Sequence, residues 1–348
     1  MTQGSQDREE AGQVSPASGG GAMLSSRRAL LGGLAATIAS PALRAQPVGP
    51  WPHDRVTIVT SLPAGSTVDL TTRVIAERLA QVWGKPVVVD NRGGAHGVLA
   101  CQMVARAQPD GLTLLATSAM THAANPTLFR TLPYDPVRDF AAVTRFGRAS
   151  PFVVMANKNR GAATLAELIA LLKREPGRHN FGAGSVPSRI ASELFRQITG
   201  ADIVHVGYRG NQQGFPDLVE GRITMMSVDV VGAKPLVDRG SVHALALSDE
   251  ERHPGVPDVP TSAEAGLPEF QFTTWSGVYA PAATPIEVVE KIARDMQDAM
   301  DAPEVRARLD GMGSLRRLPE APAEFGTFTA REAEAWGRII RRAGITLD

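Results

Sequence analysis

From Arg55 onward the chain repeats one pattern, a short apolar run followed by a small-residue loop and then an amphipathic stretch with helical spacing. "RVTIVT" is the first such run. It passes through "SLPAGSTVD" into Leu70, Val74, Ile75, Leu79, Val82 and Trp83, which recur every three or four residues until Gly84 and Pro86 end them. "PVVVDN" and "LTLLATS" continue the series, with a helix through Cys101 to Ala107 between them. Strands that alternate with helices form a parallel sheet covered by helices. The predicted fold is therefore α/β. A second series starts near Pro151: "FVVMAN", a helix capped by Thr164-x-x-Glu167, "HNFGAGS", a helix over Arg189 to Ile198, then "DIVHV", "RITMMSV" and "ALALS". After "FTTWSGVYAP" the chain turns mostly helical, with starts at Thr284-Pro285-Ile286-Glu287 and Asp301-Ala302-Pro303-Glu304 and a last helix from about Ala323 to Ala343. Two βα lobes with a helical tail describe a clamshell. The segments near "RASPFVVM" and "TTWSGVYAP" are its crossings.

The first 45 residues stand apart. A polar leader precedes "MLSSRRALLGGLAATIASPALRAQ", where Arg27 and Arg28 lead an apolar stretch from Ala29 to Ala39. A basic region, a short apolar core and a small residue at the cut describe an export signal, with cleavage expected after Ala45. The arginine pair fits a twin-arginine signal and equally a Sec signal, and either Met1 or Met23 serves as the start. No stretch reaches 18 apolar residues, so the mature chain is not expected to span a membrane. Cys101, the single cysteine, is expected as a core residue on its helix.

The balance of 36 Lys plus Arg against 36 Asp plus Glu leaves no electrostatic footprint for nucleic acid. Four strand-to-helix loops could carry chemistry: 61–69, 90–97, 117–126 and 182–189. In open α/β sheets ligands sit outside the carboxyl ends of strands, and a helix N-terminus favours an anion there. Neither G-x-x-x-x-G-K-[ST] nor G-x-G-x-x-G occurs at the first loop, and "GGAHG" reads more simply as a tight turn than as a dinucleotide loop. G-x-S-x-G is absent, and the seven histidines show no metal spacing. No enzyme activity, metal or cofactor is implied.

Taken in order, "IVTSLPAGSTVDLTTRVIAERLAQVWGKPVVVDNRGGAHG", "QPDGLTLL", "NPTLFRTLPYDPVRDFAAVT", "DIVHVGYRG" and "VPDVPTSAEAGLPEF" resemble the Bug-type solute-binding proteins of tripartite tricarboxylate transport systems, over about residues 54–345. The resemblance implies a periplasmic-binding-protein type II fold, with domain 1 at 54–148 plus 275–348 and domain 2 at 149–274. It further implies a periplasmic monomer that binds a small carboxylate or amphoteric solute, closes, and delivers it to integral membrane transporter subunits. Presentation of the solute to a periplasmic signalling receptor is the alternative role.

Carried over by resemblance, one ligand carboxylate is gripped by Ser61, Leu62, Ala64, Gly65, Ser66 and Thr67 in the first lobe, and by Gly184, Ser185 and Ser188 in the second. Ser118 and Thr121 fall in the third loop, Tyr208 forms a wall and Asp229 is an acidic cleft residue. Arg189 stands near where the family often has a histidine and is either a cleft residue or solvated. Asp229 has a capping role open to it as well, and Asp69 is expected as a helix-start residue rather than a contact. Ser61, Ser66 and Thr67 depart from the family's proline and glycines, His96 from a glycine, and Gly207 from a proline, so an altered ligand preference is expected.

Overall fold

The computed structural model describes residues 51–147, 150–312 and 320–347. The expected leader and signal lie outside the described residues. The order of elements is β1 (Val56–Thr60), α1 (Thr67–Trp83), β2 (Val87–Asn91), α2 (Val98–Ala105), β3 (Thr113–Ser118), α3 (Asn125–Leu128) and β4 (Phe140–Arg145). Then come β5 (Ser150–Ala156), α4 (Leu165–Arg174), β6 (His179–Ala183), α5 (Val186–Thr199), β7 (Ile203–Gly207), α6 (Asn211–Glu220), β8 (Met225–Asp229), α7 (Val230–Asp238) and β9 (His243–Leu247). The chain ends with β10 (Thr273–Thr274), β11 (Ser276–Pro281), α8 (Ile286–Asp301), α9 (Pro303–Gly311) and α10 (Pro322–Ala343).

These strands build two sheets, one ordered β2-β1-β3-β11-β4 and the other β10-β5-β8-β6-β7, with β9 on β5. The fold is α/β with two lobes. The parallel pairing expected from the βα repeats holds for β1 with β2 and β3, and for β6 with β7 and β8. It fails at β11, antiparallel to β3 and β4, and at β5, antiparallel to β8 and β9. Both of these strands follow a crossing rather than a helix, and a strand without a crossover helix has no reason to run parallel.

Sequence chemistry sets the element ends. Thr164 accepts from the Glu167 N–H while the Glu167 carboxylate accepts from the Thr164 N–H, which closes the expected capping box of α4. Helix α8 starts one residue later than Thr284 would place it, with Pro285 at the cap. Residues 117–126, read as a loop, instead enter a π-helical turn at Met120–Ala124 that runs into α3. Ala119, Ala123 and Ala124 are fully buried there, and three small side chains let the turn sink into the core. Strand β4 carries no clear alternation and was not legible.

The first sheet is covered by α1, α8 and α9 on one side, where Ile58, Ile75, Leu79, Met296 and Leu309 form a single core. On its other side Val59, Leu115 and Tyr279 pack with Cys101 of α2 and with Phe325, Trp336 and Ile340 of α10. Cys101 is buried, and burial pushes its thiol up to about 12. Helix α10 also reaches the second lobe, since Gln197 Nε2 of α5 donates to the Ile339 carbonyl at 3.1 Å. Its Trp336 lies against Phe272, which meets Phe152 of β5 edge on.

Candidate functional site

The loop after β1 is held by its own chain. The Ser66 N–H donates to the Pro63 carbonyl at 3.2 Å, and Gly65 at φ +81° supplies the left-handed corner that such a turn needs. Ser66 Oγ then caps α1 by accepting from the Asp69 N–H at 3.3 Å. Asp69 is buried, and its carboxylate accepts from the Gly65 N–H at 2.8 Å, Arg73 Nε at 3.0 Å and Asn91 Nδ2 at 2.8 Å. Burial alone would push this carboxyl up. The bonds from Arg73, Asn91 and Gly65 outweigh it and hold the group below the usual carboxylate range. Asp69 therefore works on the loop ahead of it and ties it to the end of β2.

Beneath the loop lies a chain of buried hydroxyls. Ser61 Oγ meets Thr117 Oγ1 at 2.6 Å, Thr117 Oγ1 meets Thr121 Oγ1 at 2.6 Å, and Thr121 Oγ1 meets His122 Nδ1 at 2.9 Å. His122 stacks on Tyr279 at 3.9 Å, and burial pulls its imidazole down to about 3. Gly97 lets the loops close in. A Cβ there would lie 2.6 Å from Thr121 Cγ2 and 3.1 Å from Ser61 Cβ. Ser61 and Thr121 thus both have their hydroxyls turned onto Thr117 of β3.

The opposite lobe uses the same devices. Ser185 Oγ caps α5 by accepting from the Ser188 N–H at 3.2 Å, and the Gly184 N–H donates to Asn211 Oδ1 at 2.8 Å. A Cβ on Gly184 would lie 2.0 Å from the Gly210 carbonyl carbon, so this crossing of two loops accepts only glycine. Ser188 is buried and donates to the Ser227 carbonyl. Tyr208 donates to Asp217 Oδ2 at 2.6 Å, which turns it onto α6; burial and the Asp217 carboxylate raise its phenol to about 12. Arg189 is half-buried, and its Nε finds no partner among the described residues. Asp229 caps α7, with Oδ1 accepting from the Gly232 N–H at 3.0 Å.

A cavity of about 660 Å³ opens between the sheets. Of the residues singled out in the sequence, Thr67, Ser118 and Asp229 line it. Leu62, Ala64, Gly65 and Ser66 lie in the turn before α1; they, Ser61, Thr121, Gly184, Ser185, Ser188, Arg189 and Tyr208 are not part of the lining. The lining adds Thr71 of α1, Phe215 of α6, Val231 of α7 and Trp275, which joins β10 to β11. Trp275 is buried, and its indole N–H lacks a partner among the described residues. One signal could have found part of this set: Thr67 and Thr71 fall one helical turn apart, as do Val231, Pro235 and Arg239. Among the described residues no cluster of His, Cys, Asp or Glu could hold a metal ion, and no helix is long and apolar enough to cross a membrane.

Two α/β lobes joined by crossing strands, with a cavity fed by both, define the class of two-lobed periplasmic binding proteins. The family model described as tripartite tricarboxylate transporter family receptor matches residues 71–345, and the chain belongs to that family. It is 34% identical to MatC of Rhodopseudomonas palustris, solved with bound malate, covering 82% of this chain and 99% of that one at a TM-score of 0.67. A second protein from R. palustris, solved with adipate, is 30% identical, with coverages of 85% and 99% and a TM-score of 0.70. The periplasmic binding protein BugD is 25% identical, with coverages of 85% and 99% and a TM-score of 0.67. The Bug-type resemblance seen in the loops is thereby established, in a family of solute-binding receptors.

Proposed function

We propose that this chain is exported to the periplasm, captures a small carboxylated or amphoteric solute by closing its lobes, and hands it to membrane subunits of a tripartite tricarboxylate-type transporter without making or breaking a bond. The lobes in this reading are residues 54–148 plus 275–348, and residues 149–274. The observation that carries it is the makeup of the cavity: Thr67 and Ser118 from one lobe and Asp229 and Phe215 from the other share one space. Closure there would wrap a ligand on both sides, as in clefts that bury most of a small molecule. The end of β3 and the first turns of α1 supply the hydroxyls of Ser118, Thr67 and Thr71, and the first-turn N–H groups of a helix have no partner within it. Hydrogen bonds to a carboxylate are worth about 1.5–3 kcal/mol each. A few of them suffice for micromolar binding, about −8 kcal/mol. The malate and adipate held by the two relatives are both small carboxylates, which supports this ligand class.

Thermal shift and calorimetry with mono-, di- and tricarboxylates, amino acids and aromatic acids test the proposal. A true ligand at 100 times its Kd stabilises the protein by about 2.7 kcal/mol. Thr67→Phe, at an exposed lining position, should abolish that response while leaving the unliganded melting temperature nearly unchanged. Silence from every carboxylate would end the reading.

A further inference from the structure

We infer that the cavity selects carboxylates with an apolar body, alkyl or aryl, over hydroxylated acids such as malate or citrate, and that Val231 is a specificity-determining residue. The inference rests on the carboxylate-binding reading above and narrows it.

The cavity is two-sided in its chemistry. Thr67, Thr71 and Ser118 place hydroxyls on the α1 side. Across from them are Phe215 of α6 and Val231 and Pro235 of α7, flanked by Gln212, Asp229 and Arg239, while Phe146 and Met312 pack on the α1 side and Trp275 comes from the crossing. Val231 and Pro235 are one helical turn apart and Arg239 a further turn on, so α7 shows the cavity a continuous stripe. The apolar part of that stripe is uncovered: Val231 is 51% exposed. A large apolar side chain left open inside a cavity gains when a ligand's carbon body covers it and water leaves.

A hydroxylated ligand fits that wall badly. Each hydroxyl set against Phe215, Val231 or Pro235 would give up its water without a partner, and such desolvation is unfavourable. Asp229 sits two residues before Val231 and also lines the cavity, so a carboxylate at that end of α7 meets like charge, whereas Arg239 at the far end of the stripe can hold one. A charged head therefore belongs with the hydroxyls or at Arg239, and the carbon body lies against Phe215, Val231 and Pro235. Adipate, with a carboxylate at each end of four methylenes, satisfies this with one head at the hydroxyls and the other at Arg239. Malate, with a hydroxyl on a two-carbon bridge, does not.

The test measures Kd by calorimetry for hexanoate, adipate, benzoate, malate and citrate on the wild type and on Val231→Asn. Val231 is half open, so the substitution leaves the fold standing, which an unchanged melting temperature without ligand verifies. The expected result is at least tenfold tighter binding of the apolar-bodied acids than of malate or citrate, and a three- to tenfold loss for those acids in V231N with malate unchanged. Phe215→Leu, a milder change on the other helix, should weaken benzoate more than hexanoate. Malate or citrate binding as tightly as adipate, or V231N affecting all acids alike, would overturn this inference and leave the carboxylate reading intact. No binding by any of the five acids would overturn both.

Discussion

At the scale of single residues, the same side chains that could hold a ligand are those that hold the loops. Ser61, Thr117, Thr121 and His122 form one buried run of hydrogen bonds. A sequence names the hydroxyls there but does not say which way they face, because a loop serine bonds a neighbour or a ligand equally well. Asp69 was legible as a helix-start residue, yet its bonds to Gly65, Arg73 and Asn91 depend on β2 coming alongside. His122 gives this run a measurable signature. Its folded value of about 3 lies below the roughly 6.5 of an unfolded histidine, so between the two the unfolded chain binds a proton that the folded chain does not. Its contribution is complete above pH 6.5 and is lost as pH falls toward 3, at up to about 1.4 kcal/mol per pH unit. His122→Gln should flatten the fall in unfolding free energy between pH 6.5 and 4 by nearly that slope. Parallel stability curves for the two proteins in chemical denaturation would contradict the assignment.

At the scale of elements, most helices and the edge-to-centre run of parallel strands could be read from apolar spacing, since a βα unit carries its own caps and stops. The Thr164 box and the start of α10 followed from residues within four positions of each other, whereas α5 begins at Val186 under its Ser185 cap, three residues ahead of the expected Arg189. What escaped was set from a distance. The π-helical turn at Met120–Ala124 and strand β4 take their form from packing against α10, which begins some 200 residues later. The cavity shows the same division. Thr67, Ser118 and Asp229 mark ends of strands and starts of helices, whereas Phe146 and Trp275 enter only because the chain crosses between sheets, and Met312 only because α9 ends there. The loops around that cavity meet at Gly97, where φ is +82° and a side chain would strike Thr121 and Ser61. Gly97→Ala combines a left-handed alanine with that collision and should cost about 1–3 kcal/mol. It should also weaken ligand binding, because the loops after β1 and β3 must part. A variant as stable as the wild type in urea would show that the contact has room to relax.

At the scale of the whole molecule, the two crossings lie side by side. The Phe146 N–H donates to the Ser276 carbonyl at 3.0 Å, and the Ala119 N–H donates to the Trp275 carbonyl at 2.9 Å. On one side of this junction β10 pairs with β5, and on the other β11 pairs with β4. A few residues between paired strands can absorb the backbone rotation of a closing hinge while both sheets stay intact. Helix α10 backs the junction through Phe325, in edge contact with Trp275, and through Trp336 against Phe272. Closure would therefore move the lobes about Trp275 while Trp336 stays packed. Of the four tryptophans, Trp51 and Trp83 lie against each other in the first lobe, held through Asp110 and Asp295. Saturating adipate should contract the molecule in small-angle scattering and change its tryptophan emission, and Trp275→Phe should remove most of the emission change while the contraction persists. If Trp336→Phe removes it instead, the lobes pivot on the α10 backing and the crossing strands move as a rigid part of one lobe.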